Sequence, residues 1–156
     1  TQTFVKKEIE MTDKKINGEI LNNLYKNAHI ALQSISDLTE ELTVEKFRKE
    51  LQGQYEGYEK IIGEISSLMK TNGIEPKDIG TFKKMMLKAS VKMNTMKSDN
   101  RSEVAEMMIK GTVMGITDVY RELDEKKDVV APEVKELATK LASLEEEYEE
   151  RLKQYL

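Results

Sequence analysis

The chain has 156 residues and a formal net charge of −4, from 25 basic and 29 acidic side chains. That length suits one domain with a buried core, and the charge balance gives no reason to expect a nucleic-acid partner. The absence of cysteine excludes disulfides, thiol chemistry and Cys-based zinc sites.

The opening TQTFVKKEIE lacks the apolar core of a signal peptide. No apolar run approaches the ~20 residues of a membrane span. A cytoplasmic protein without a membrane partner is therefore expected. Only two prolines and eight glycines interrupt a chain rich in Glu, Lys, Leu and Met, which favours helix throughout.

Residues 1–16 carry scattered apolar positions (Phe4, Val5, Ile9) and read as a tail or a short accessory helix. Asn17 is the expected cap of a first long helix over 17–42, whose apolar stripe runs Leu21, Leu24, Ala28, Leu32 and Ile35 at 3/4 spacing. Thr43 is the expected cap of a second helix over 44–71, with stripe residues Phe47, Leu51, Tyr58, Ile61 and Ile65. TNGIEP stops it: Gly73 suits a left-handed cap, Ile74 folds back and Pro76 prevents continuation. A Met- and Lys-rich helix is expected over 81–97, with Lys83, Lys84, Lys88 and Lys92 on its basic face. Such a helix suits either a crossover packed on the bundle or an amphipathic surface for a membrane or protein partner. Asn100 and Glu103 have capping-box spacing before a helix over 101–126. Pro132 opens the last helix, 132–155.

The expected fold is all-α: a four-helix bundle of two antiparallel helical hairpins joined by a long helical crossover. In helix lengths, crossover and order of elements, residues 17–156 resemble the ferritin-like superfamily. The stretch AEMMIKGTVMGITDVYRELDEKKDVVAPEVKELATKLASLEEEYEERLKQYL is similar to bacterial ferritin-like proteins. Active members hold two metals with a Glu from each of two helices and a Glu-x-x-His pair from each of the other two.

Helical phase puts Ala28 and Leu32 inward on the first helix, Gln54 with Gly57 three residues on, Thr112, and Glu145 with Tyr148 three residues on. The resemblance thus implies a degenerate metal cluster at Gln54, Thr112, Glu145 and Tyr148. A buried hydrogen-bond cluster is the preferred reading, because an unpaired carboxylate inside a bundle is costly. An atypical metal-binding, metal-storage or oxidoreductase site is the alternative. His29 is the only histidine and reads as structural. No nucleophile motif and no phosphate loop occurs, so neither enzymatic activity nor a cofactor is expected.

Two glycine pairs at i,i+4, Gly53/Gly57 and Gly111/Gly115, fall inside expected helices, although each glycine weakens a helix by about 1 kcal/mol relative to alanine. The apolar arc of the third long helix is wide, with Met107 and Met114 beside Gly111 and Gly115. That strip is expected to receive another helix, from the crossover or from a second subunit, so a homo-oligomer, most simply a dimer, is expected.

Overall fold

The computed structural model describes residues 2–77 and 100–156; the helix expected over 81–97 and its lysines Lys83, Lys84, Lys88 and Lys92 lie outside the described residues. Four α-helices and no strand make up the described residues: α1 (Gln2–Thr39), α2 (Glu45–Thr71), α3 (Arg101–Glu125) and α4 (Pro132–Lys153).

The largest departure from expectation is at the start. Residues 2–16 are the first turns of the 38-residue α1, not a separate tail, and Asn17 sits in mid-helix. No glycine or proline breaks 2–16, and its Lys, Glu and Met residues are good helix formers, so the helix simply continues. Phe4, Val5, Ile9 and Met11 are exposed along it. Asn17 instead clamps the α3–α4 loop: its Nδ2 donates to Val129 O (3.1 Å) and its Oδ1 accepts from Ala131 N (2.7 Å). Asn17 thereby satisfies two backbone groups of that loop.

Two other expected caps also differ. Val44, not Thr43, is the N-cap of α2, and neither α2 nor α3 has a side-chain cap bond. Asn100 turns away from its own helix and donates to Glu41 O (3.2 Å), tying the start of α3 to the turn after α1. The stop signals act as read. Gly73 has φ 65°, Ile74 N donates to Met69 O (2.8 Å), and Pro132 occupies the first turn of α4. The Ile74 side chain then lies over Gly18 of α1, where an added Cβ would find it at 3.5 Å.

α1 lies mainly against α2, and α3 mainly against α4; contacts of α1 with α3 and α4, and of α2 with α4, close the core. Between α1 and α3, Asn23 bonds Glu122 (2.7 Å), Asn27 bonds Gly115 O (3.2 Å), and Glu41 O accepts from Asn100. Between α2 and α4, Phe47 stacks on Tyr155 (4.3 Å), Glu50 pairs with Arg151 (3.7 Å), Tyr58 bonds Glu145 (3.1 Å) and Glu64 pairs with Lys140 (2.7 Å). In both sets residue numbers rise along one helix as they fall along the other. Leu21, Leu24, Ala28, Leu51, Ile61, Ile65, Leu141 and Leu152 fill the space between and are fully buried.

Candidate functional site: a buried carboxyl group shared by four helices

The apolar register of α4 runs Val134, Ala138, Leu141, Tyr148 and Leu152, and Glu145 falls on that same buried face. Its side chain is 1 % exposed. A carboxyl group there must find donors, and each neighbouring helix helps. Tyr58 of α2 donates its hydroxyl to Oε2 at 3.1 Å, and Asn27 of α1 donates Nδ2 to Oε1 at 3.1 Å. The same Asn27 nitrogen also reaches the Gly115 carbonyl of α3.

Gly115 makes this convergence possible. A Cβ on it would lie 2.7 Å from Glu145 Oε2, 2.8 Å from Asn27 Oδ1 and 3.0 Å from Glu145 Oε1, closer than carbon tolerates. The glycine expected to admit a neighbouring helix therefore admits the polar ends of two side chains. Gly57 has the same role on α2: the Tyr148 hydroxyl occupies the space its side chain would take, with Cζ 3.1 Å from that position. Gly53 and Gly111 are different, since a Cβ on either would meet nothing within 4 Å among the described residues. In each pair, then, the later glycine is sterically required and the earlier one is not.

Burial pushes the Glu145 carboxyl up to about 8. The hydrogen bonds from Tyr58 and Asn27 oppose that shift and the charge of Asp118 adds to it. Both donors to Glu145 are uncharged, so nothing among them offsets a full negative charge. Burial thus favours the carboxylic acid over the carboxylate near neutral pH. A tyrosine hydroxyl accepts as well as donates, so Tyr58 stays paired when Glu145 holds its proton. Burial, then Glu145, holds the Tyr58 phenol well above its ordinary value.

The other residues implied by phase lie nearby with separate partners. Gln54 is buried and its Nε2 faces Glu50 Oε2 at 3.4 Å, one turn back on α2. Thr112 is buried and returns its hydroxyl to Met108 O (2.7 Å). Tyr148 meets Tyr58 edge-on at 5.3 Å and has the Arg151 guanidinium 5.9 Å from its ring centre. Tyr148 thus touches the Glu145 centre through Tyr58, while Gln54 belongs to a second polar group with Glu50 and Arg151. Asn27 and Tyr58 are the members that sequence reasoning missed. Tyr58 was legible only as a core aromatic, and Asn27 sits one position off the α1 stripe.

The described positions do not fit the two-metal set of active ferritin-like proteins. Ala28 stands on α1, Gln54 offers a neutral amide whose nitrogen faces Glu50, Thr112 a hydroxyl that donates to Met108 O, and Glu145 is bonded to Tyr58 and Asn27. Among the described residues no three His, Cys, Asp or Glu side chains group as metal ligands. His29 lies against Tyr25, ring centres 4.3 Å apart, and burial lowers its pKa.

Between α1 and α3 runs a groove of about 590 Å³ that reaches Glu145. Leu24, Ile30, Ala31, Met107, Met114 and Val119 give it apolar walls, and Asn27, Thr112 and Gly115 lie along it with Glu145. Gly111, bare and exposed, leaves its side open.

The fold defines an all-α protein with four described helices, none long and apolar enough to cross a membrane. A scan against family models gives no match, and neither curated proteins nor solved structures give a significant one.

Proposed function

We propose that the chain is a non-catalytic helical-bundle binding module of ferritin-like type, with α1–α2 and α3–α4 as antiparallel hairpins and the α1–α3 groove as its binding surface. The observation that carries this reading is the groove itself: an apolar channel that ends on a buried carboxyl group held by Tyr58 and Asn27. The opposed numbering of the α1–α3 and α2–α4 contacts supports the hairpin arrangement. A buried polar group amid apolar walls is the usual composition of a small-molecule site.

A neutral fluorescent apolar dye tests the groove. The protein is expected to bind it saturably, and Gly111→Trp is expected to abolish binding without lowering the melting temperature, because the indole enters open space. Absence of dye binding, or equal binding by the variant, would remove the groove as the binding surface. Stoichiometric iron or manganese retained through gel filtration would instead favour a metalloprotein with atypical ligands.

A further inference from the structure

We propose that the α1–α3 groove takes an aliphatic amine, its hydrocarbon chain along the methionine walls and its ammonium group at Glu145. The inference rests on the groove-binding reading and adds the chemistry of the ligand.

The walls set the first requirement. Leu24, Ile30, Ala31, Met107, Met114 and Val119 offer almost nothing polar to a chain lying between them, and methionine adapts to irregular apolar shapes. The opening sets the second. Asp37, Asp118, Glu122 and Glu125 line it against Lys26 and Arg121, an acidic excess that attracts cations and repels carboxylates or phosphates. Part of that charge is already engaged, since Glu122 pairs with Lys126 (2.8 Å) and Asp118 with Arg121 (3.6 Å). The inner end sets the third. Glu145 lines it beside Asn27 and Thr112, and its carboxyl is the one acidic group among these three. A carboxyl group with an amide beside it suits an ammonium group, which has three donors and no acceptor.

A divalent metal does not suit the same place, because one carboxyl would leave half its charge unbalanced and no three His, Cys, Asp or Glu side chains group there among the described residues. A neutral alcohol would use the walls and leave the carboxyl unexploited. When the ammonium arrives, the Glu145 proton passes to solvent and a carboxylate–ammonium pair replaces it. The ionisable groups facing Glu145 are Tyr58 from α2 and Asp118 from α3, while α1 presents the uncharged Asn27.

The test titrates the full chain by calorimetry with n-octylamine, 1-octanol and octanoate, and runs each as a competitor of the neutral dye. Octylamine is expected to bind about tenfold or more tighter than octanol, the worth of one charge-assisted hydrogen bond in a buried site, and octanoate weakest of the three. Glu145→Gln keeps the shape and hydrogen-bonding capacity, and is expected to bring amine and alcohol to similar affinity while dye binding persists. Asp118→Asn, at an exposed position, is expected to weaken the amine a few-fold without changing the fold. Equal binding of amine and alcohol by the natural protein, or a preference that survives in both variants, would overturn the proposal while leaving the dye-binding groove intact. Failure of the dye and the amine alike would remove both readings.

Discussion

Gly115→Ala is expected to destabilise the protein, and Gly111→Ala, one turn earlier on the same helix, to stabilise it. Alanine is the better helix former at both positions by about 1 kcal/mol, so a purely local account gives both substitutions the same sign. The surroundings separate them. At Gly111 an added methyl group meets nothing among the described residues, and the local gain stands. At Gly115 it meets three oxygens, and Glu145 can retreat only by giving up its bonds to Tyr58 and Asn27. Breaking those bonds leaves buried polar atoms unsatisfied, at about 1–3 kcal/mol for each group, which outweighs the propensity gain. Urea unfolding of the two variants reads the difference directly. A pair of shifts in the same direction would mean that the core yields at Gly115 and that the glycine is there for another reason.

The second large effect is a dependence of stability on pH. Glu145 holds its proton up to about 8 in the folded chain, whereas an unfolded glutamate releases it near its model value of 4.5. Between those values the folded state binds the extra proton. Stability contributed by this group is therefore complete below about 4.5 and is lost as pH rises toward 8, by up to about 5 kcal/mol. Glu145→Gln is expected to remove this component: its urea midpoint should vary less between pH 5 and pH 8.5 and should exceed that of the natural protein at the upper end. Glu145→Ala should lose stability at every pH, since it opens a cavity and strands Tyr58 and Asn27. If Gln and Ala behaved alike, Glu145 would be acting through its volume and not through its proton.

Much of this arrangement was legible in the sequence because it rests on local chemistry. Gly73, Ile74 and Pro76 mark the end of α2, and Pro132 the start of α4, since each acts through its own backbone. Glu145 was found by helical phase, because a carboxylate on an apolar stripe violates the pattern around it. Asn17 could not be placed in the same way. It is a good N-cap in isolation, and only the α3–α4 loop, more than a hundred residues later, shows that its amide is engaged there. Asn27 was hidden for the same reason, because its partners lie on α3 and α4. The glycine pairs were visible as anomalies, but spacing alone gives Gly111 and Gly115 equal weight. Only the positions of Glu145 and Asn27 distinguish them.

One carboxyl group, approached from α1, α2 and α3, organises the interior of this bundle and ends its groove by holding its proton. A carbon-detected NMR titration of the side-chain carboxyl of Glu145, assigned by its disappearance in Glu145→Gln, tests this most directly. The expected resonance stays in its protonated position through neutrality and titrates near pH 8. A resonance already that of an ionised carboxylate at pH 6 would contradict it.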